Sequence, residues 1–479
     1  MLQFLLSLAL SAHATDPNGC EIATLGAPAR PPALQANIRI DQRVGFSNSS
    51  EESTLSSDGR LSAVSRSLGK DEIEVLVFDI EDRQVLERAN FTRVKSLHFI
   101  EGSQWLAIDG TLRSDGNVAK LYLLGLGNRS SSEGRALIPF GASMPSLDLP
   151  HSRYWGVGVE QVVSRSGLGT FLVLQDSANA LGTVRYQPSN PMANPHTSLL
   201  NQNGTIFDKR SLRPLKSIKF TQEGEEIQPI MAELNPKSSL VALHAVDPLV
   251  AHKRKDSIYV IDLKNPSEEL FAFPFGRSGL DFPMGSMAYT SASNQFHLSW
   301  DSTGERLLIL EGVSGSVIQV NVKTKEQTVD RRDLTNRWPI AGGAILNDGS
   351  LFLVRSGRMT SGNQLLRDEA LFASIDDGPL VELHLSQQVS AVRDRVRNRA
   401  QGRVVDQIFE LNGGQHIALA IEDQILLLDR AHPNQQLVIN PSDVTAAKNF
   451  RLGQIIKVSD STLRLIDREK GIFDLTIRP

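Results

Sequence analysis

One phrase recurs along this chain and constrains its fold more than any other feature. At residues 258–263 the sequence reads IYVIDL, a short aliphatic run with Asp262 at its end, followed by Lys264, Asn265 and Pro266. Variants are EVLVFDI at 74–80, KLYLLGL at 120–126, TFLVLQD at 170–176, VIQVNVK at 317–323, LFASIDD at 371–377, QILLLDR at 424–430 and TLRLIDR at 462–468. Short β-branched and aliphatic runs bounded by turn residues read as strands.

The segments upstream repeat as well. LSSDGRLSAVSRS starts at Leu55, FIEGSQWLAIDG at Phe99, ELNPKSSLVALHA at Glu233, LSWDSTGERLLILEG at Leu298, ILNDGSLFLVRSG at Ile345 and ELNGGQHIALAIE at Glu410. Each is a strand end, a tight turn on Asp-Gly, Asn-Pro or Gly-Gly, and a new strand; Gly, Asn and Asp tolerate the positive φ of such turns. A unit therefore holds four strands, and the recurrent phrase is its third. Asp262 is expected to close that strand and accept hydrogen bonds from the turn into the fourth, as are Asp79, Asp376, Asp429 and Asp467.

Units recur roughly every 40 to 60 residues, with one wider gap between 176 and 258. That gap holds NQNGTIFDKRS, which reads as a further unit or an insertion. A four-stranded unit cannot bury both of its faces alone, but units stacked around an axis bury them against each other. The predicted fold is all-β: a single closed β-propeller of seven or eight four-stranded blades over residues 37–479, with the repeat count favouring eight. Ring closure is expected to pair the C-terminal GIFDLTIRP with a strand near ANIRIDQRVGF, which removes two exposed edges.

LSWDSTGERLLIL together with DSIYVIDL resembles the WD40-like repeats of TolB-type periplasmic propellers, where a Ser-Pro-Asp-Gly turn precedes an Ile-Tyr-Val-Met-Asp strand. The likeness covers most of residues 55–479 in degenerate copies, and the Trp-Asp ending of eukaryotic WD40 repeats is absent. It implies a periplasmic β-propeller. The chain also resembles the propellers of prolyl oligopeptidase-type enzymes, but no stretch is left for their hydrolase domain, so no hydrolase activity is implied.

The N-terminus points the same way. Leu2 to Leu10 form an apolar run too short to span a bilayer. Ala12-His13-Ala14 fits a signal-peptidase site, although no Lys or Arg precedes the run. Residues 1–14 are expected to be a signal peptide, 15–36 a flexible Pro-rich linker, and the mature chain periplasmic or secreted. Cys20 is the single cysteine, so the fold contains no internal disulfide. The DPNG before it lacks the residues of a lipoprotein cleavage site. Later apolar stretches are strand-sized and no transmembrane segment is expected. A net charge of −4 makes no electrostatic case for nucleic acid or an acidic membrane.

Short catalytic motifs are missing. The chain holds no G-x-S-x-G, no H-E-x-x-H, no P-loop and no C-x-x-C, and SDGR and NDGS are too short for an EF-hand loop. His244, Asp247 and His252 form the one histidine cluster, expected on the loop between second and third strands. There they either converge on a metal or line a solvated loop; no metal and no cofactor is predicted.

One segment departs from the β pattern. Val389, Val392 and Val396 make a helical stripe within 385–405, flanked by Arg393, Arg395, Arg397 and Arg399. The expectation is a short amphipathic helix near 387–400, inserted between blades. It either packs its valines and solvates its arginines, or docks an acidic partner through Arg393, Arg395, Arg397 and Arg399, the predicted partner-binding residues. Two further basic runs are HKRK at 252–255 and KRSLRPLKSIK at 209–219, expected at the solvated surface.

The functional expectation is an exported, non-enzymatic, monomeric propeller serving as a protein–protein interaction or scaffold module in the cell envelope, with another envelope protein as partner. Two alternatives stand beside it. One is a propeller enzyme of lyase or lactonase type whose site is assembled from loops of several blades. The other is recognition of a polysaccharide or cell-wall ligand, against which the scarcity of stacking aromatics counts: 4 Trp and 5 Tyr.

Overall fold

The computed structural model describes most of residues 34–478; it does not describe 1–33 or 35, the internal segments 127–158, 176–203, 247–255, 276–295, 332–339, 384–406 and 442–451, or several shorter connections. The signal-peptide and helix predictions, with Arg393, Arg395, Arg397 and Arg399, fall outside the described residues, as do nearly all of the linker and Asp247 and His252.

The described strands form eight antiparallel sheets, the blades of a β-propeller. Blade 1 runs Ser50–Leu55, Leu61–Gly69, Glu72–Asp79 and Gln84–Phe91. Blade 2 contributes Arg93–Ile100, Trp105–Thr111 and Ala119–Gly125. Blade 3 runs Val159–Val163, Thr170–Gln175, Gly204–Asp208 and Pro214–Ile218. Blade 4 runs Glu225–Leu234, Leu240–Val246, Asp256–Asp262 and Glu269–Phe275, with Phe220–Gln222 paired beside its first strand. Blade 5 comprises Phe296–Trp300, Arg306–Glu311, Ser316–Asn321 and Gln327–Arg331. Blade 6 comprises Ile340–Ile345, Leu351–Met359, Leu365–Ile375 and Val381–Leu383, and blade 7 comprises Gln407–Leu411, His416–Ile421, Gln424–Asp429 and Gln436–Ile439. Blade 8 takes Leu452–Ser459, Thr462–Asp467 and Gly471–Arg478 from the C-terminus and its fourth strand, Asn37–Gly45, from the N-terminus.

That last pairing is the expected one. It runs antiparallel from Asn37 opposite Arg478 to Gly45 opposite Gly471, with a register shift between Gln42 and Val44. Gly471 is required there: at φ 132° a Cβ would lie 1.9 Å from the carbonyl oxygen of Val44.

Stacking explains the composition of the central strands. In blade 7, Ile417, Leu419 and Ile421 pack toward blade 6 with Phe352 and Val354, while Ala418 and Ala420 pack toward blade 8 with Leu463 and Leu465. Successive side chains of a strand point to opposite faces, and here both faces are buried, so the run is apolar throughout. The same division places Leu307 and Ile309 of blade 5 against blade 4, and Leu308 and Leu310 against blade 6. Blade 8 packs on blade 1 through Ile466 and Ile472 against Leu55 and Ile80.

Two strand assignments differ from those expected. TFLVLQD is the second strand of blade 3, and the third is GTIFD within the supposed gap, whose described strands belong to blades 3 and 4. TLRLIDR is likewise the second strand of blade 8, and GIFDLTIR is the third. A second strand lies between the first and the third and is as deeply buried as the third, so composition does not separate them.

Among the described residues, Arg113–Asp115 and Asn412–Gly414 form 3-10 turns. No helix among the described residues is long and apolar enough to cross a membrane.

Candidate functional site

The turns from first to second strand lie at one end of each blade, joined there by the turns from third to fourth strand where these are described, and their side chains build an organised polar surface. The Asp at the third strand's end acts as the sequence suggests. Asp79 Oδ1 accepts from the amides of Glu81 (3.1 Å) and Asp82 (3.2 Å). Asp262 Oδ1 accepts from the Lys264 amide (2.9 Å) and the Ser239 hydroxyl (2.5 Å). Asp429 Oδ1 accepts from the His432 amide (2.7 Å). Asp208 does the same within GTIFD, from Ser211 N at 2.7 Å, and Asn321 replaces Asp in blade 5, accepting from Lys323 N at 3.0 Å.

Two residues depart from the expectation. Asp376, at φ 45°, accepts instead from the Leu351 amide at 2.8 Å, tying the turn to the start of the second strand. Asp467 holds the Glu469 and Lys470 amides at 2.7 and 2.6 Å, but in the turn from second to third strand.

These turns also reach across to the next blade. Glu101 of blade 2 accepts from Ser57 N (2.7 Å) and Ser57 Oγ (2.9 Å) of blade 1. Its own amide donates to Ser164 Oγ of blade 3 at 2.8 Å. Arg165 Nη1 donates to the Asn235 carbonyl of blade 4 at 2.9 Å, and Asn235 Nδ2 donates to the Gly304 carbonyl of blade 5 at 2.7 Å. Arg306 Nη1 reaches the Gly349 carbonyl of blade 6 at 3.4 Å. Between blades 6 and 7, Arg430 contacts Asp348 and donates to Ser350 Oγ (2.7 Å), while Asn347 N donates to Glu410 Oε2 (2.7 Å). The Asn412 backbone amide donates to the Asp460 carbonyl of blade 8 at 2.7 Å. Arg464 completes the sequence, donating to the Gly59 carbonyl of blade 1 at 2.5 Å. All eight junctions thus carry a polar bridge, most of them ending on backbone. Where the bridged turn group is buried, as at Asn235 and Gly59, the bridge satisfies a group that would otherwise be unfavourable to bury.

Most displaced titrations fall on this belt; His98, inside the first strand of blade 2, is the exception, lowered to about 4 by burial. Lys209, 6% exposed, donates to the carbonyls of Glu101 (2.5 Å) and Arg165 (2.6 Å). Burial pulls its pKa down to about 8; the Glu101 charge opposes that and the Arg165 charge adds to it. Burial also raises Glu101 and Glu410, against the amide bonds that each accepts. Asp474, 2% exposed, receives Arg464 Nε (2.6 Å), Arg464 Nη2 (2.8 Å) and Arg43 Nε (2.6 Å). Burial works to raise its pKa, but the two guanidinium groups prevail and hold it below the usual carboxylate value.

The expected sites fare differently. His244 sits not on a loop but inside the second strand of blade 4, fully buried between Leu243 and Ala245, because its strand is flanked on both sides. Among the described residues no group of three or more His, Cys, Asp or Glu side chains is placed to hold a metal. Lys209, expected at the surface as part of a basic run, is buried. Its position directly after the capping Asp208 was the available signal, since that residue turns in toward the neighbouring blade. Arg464 carried no such signal, because its partners lie far away in sequence.

No family model and no curated protein matches the chain. Solved structures similar to it include the β-propeller domain of Cps50 (Swd1) from Myceliophteria thermophila, with 11% identity and TM-score 0.37 over 92% of this chain and 99% of that one. A eukaryotic initiation factor matches with 13% identity and TM-score 0.47 over 96% and 94%. BamB from Moraxella catarrhalis matches with 8% identity and TM-score 0.36 over 89% and 83%. At these identities the likeness is one of fold.

Proposed function

We propose that this chain is an exported, non-enzymatic β-propeller, its ring closed by the terminal strands, which acts as a protein-interaction scaffold in the cell envelope. The observation that carries the reading is the belt of bridges between blades. Glu101, Lys209, Asp301, Asp348, Glu410, Arg464 and Asp474 have displaced pKa values and every one of them secures a turn or a junction. Perturbed groups often mark catalytic clefts; here they stiffen a platform, which lowers the entropy lost when a partner docks. Export is supported by the Leu2–Leu10 run and Ala12-His13-Ala14, and a periplasmic setting by the resemblance to TolB-type repeats. Arg393, Arg395, Arg397 and Arg399 are the proposed docking residues, since guanidinium groups match carboxylates in fork geometry.

The test is chemical crosslinking of the tagged mature chain in the envelope fraction, read by mass spectrometry, beside a variant with these four arginines replaced by Ser. The expected result is one protein crosslinked to the wild type and absent with the variant. A chain found only in the cytosol, or one that captures no protein while turning over a substrate or retaining a glycan, overturns the reading.

A further inference from the structure

We infer that the turn face of blades 3 and 4 is a docking site for an acidic segment of a partner polypeptide. The inference rests on the scaffold reading and gives it a place and a partner chemistry. The basic run KRSLRPLKSIK is divided by the fold. Lys209 is buried at the junction, whereas Arg210 and Arg213 stand exposed on the turn that follows Asp208. Lys237 and Lys264 are exposed on the two turns of blade 4 at the same end. The bond from Arg165 to the Asn235 carbonyl couples the turns of the two blades, so the four cations share one fixed sector.

Among the described residues none of Arg210, Arg213, Lys237 or Lys264 makes an ion pair. Asp208 accepts from Arg210 N (3.1 Å), Ser211 N (2.7 Å) and Ser211 Oγ (2.8 Å), and Asp262 is held by Ser239 and its own turn. Other sectors of the same face differ: Arg60 pairs with Asp79, Arg306 with Asp301, Lys323 with Glu305, and Lys457 with Asp460.

Leu215 adjoins the cluster. It is the extra residue of a bulge in the outer strand of blade 3, where Lys216 faces Ile206 and Pro214 faces Phe207. It is 56% exposed, one of two large apolar side chains so exposed among the described residues. Four cations on the turns of two adjoining blades, with an exposed apolar side chain two residues beyond Arg213, fit a short carboxylate-bearing peptide with a single apolar residue. An extended polyanion such as a membrane surface or a nucleic acid would also meet the rest of a chain whose net charge is −4, and is repelled beyond the sector.

The test uses the full mature chain and a fluorescein-labelled peptide of ten glutamates with one central leucine, followed by fluorescence anisotropy at low and at 150 mM salt. Replacing Arg210, Arg213, Lys237 and Lys264 with Ser is expected to weaken binding by roughly tenfold or more. A control that replaces Arg39, Lys70, Arg88 and Lys323 with Ser removes the same charge elsewhere and is expected to leave binding unchanged. Leu215→Ser is expected to weaken the leucine-bearing peptide a few-fold and an all-glutamate peptide not at all. Equal weakening in both quadruple variants overturns the proposal, as does binding of phosphatidylglycerol vesicles or oligothymidine in place of the peptide. Failure here with a partner still captured through the four arginines near 393–399 leaves the scaffold reading standing and removes only this site.

Discussion

Two junctions hold neighbouring blades by the same device and balance its charge differently. Between blades 8 and 1 a buried cation, Arg464, reaches the Gly59 carbonyl while both oxygens of Asp474 receive its fork. Between blades 2 and 3 another buried cation, Lys209, reaches the carbonyls of Glu101 and Arg165 and makes no ion pair among the described residues. A guanidinium remains protonated and presents a planar fork that a carboxylate matches. An ammonium whose hydrogen bonds end on carbonyls has its desolvation offset only in part, by the Glu101 charge, and burial takes its pKa down to about 8. The junction beside the blade that holds both chain termini thus pairs its buried cation with a carboxylate, and the one between blades 2 and 3 does not.

The comparison is broken most directly at Arg464. Arg464→Leu leaves Asp474, 2% exposed, with Arg43 as its remaining charged partner. Removing one side of a buried pair costs about 3–5 kcal/mol, so the urea midpoint is expected to fall substantially. Lys209→Met keeps the length and apolar stem but leaves two turn carbonyls without their donor, at a cost of about 1–3 kcal/mol. Urea unfolding of both variants measures the order; an equal or larger loss for Lys209→Met ends the distinction between the junctions.

Alkaline titration sharpens it. The folded Lys209 pKa of about 8 lies below the ordinary lysine value of 10.5. Below pH 8 the amine is protonated in both states and the folded chain bears the full burial penalty. As pH rises from about 8 toward 10.5 the unfolded chain binds more protons than the folded one, so stability rises. Wild type is therefore expected to gain on Lys209→Met between pH 8 and 9.5 in paired urea titrations, and a flat difference contradicts the assignment. The Arg464 junction responds at the opposite end. The Asp474 pKa is lowered from 3.8, so its contribution is present above that value and disappears as pH falls through the folded one.

The smallest effect belongs to an exposed pair. Lys323 and Glu305 are 72% and 47% exposed, and Lys323→Met is expected to change stability by less than about 1 kcal/mol. A larger loss in thermal unfolding would show that even exposed pairs on this face stiffen the ring.

Much of the architecture was legible because each blade repeats a local solution. Asp262 and Asp79 could be recognised as turn caps from sequence, since a strand-end Asp bonds amides two or three residues away. The pairing of the two termini could be recognised as well, because both segments read as strands and a lone edge is unfavourable. The strand order of blade 3 could not. Thr170–Gln175 and Gly204–Asp208 are both short, apolar and buried, and only pairing tells second from third. His244 was misplaced for a related reason: a polar residue near the end of an apolar run resembles a loop residue until both neighbouring strands are known.

Alone, the sequence determined the all-β class, the four-stranded unit and the turn chemistry, because these depend on contacts between residues close in the chain or on a repeat period, and it pointed to the joining of the ends because both end segments read as strands whose edges are unfavourable unpaired. Tertiary structure decided which charges meet. Arg464 and Gly59 are 405 positions apart, Arg43 and Asp474 are 431 apart, and the burial that moves Lys209 is supplied by two neighbouring blades. Pairing over such separations follows from how blades stack around the axis, and no local pattern encodes it.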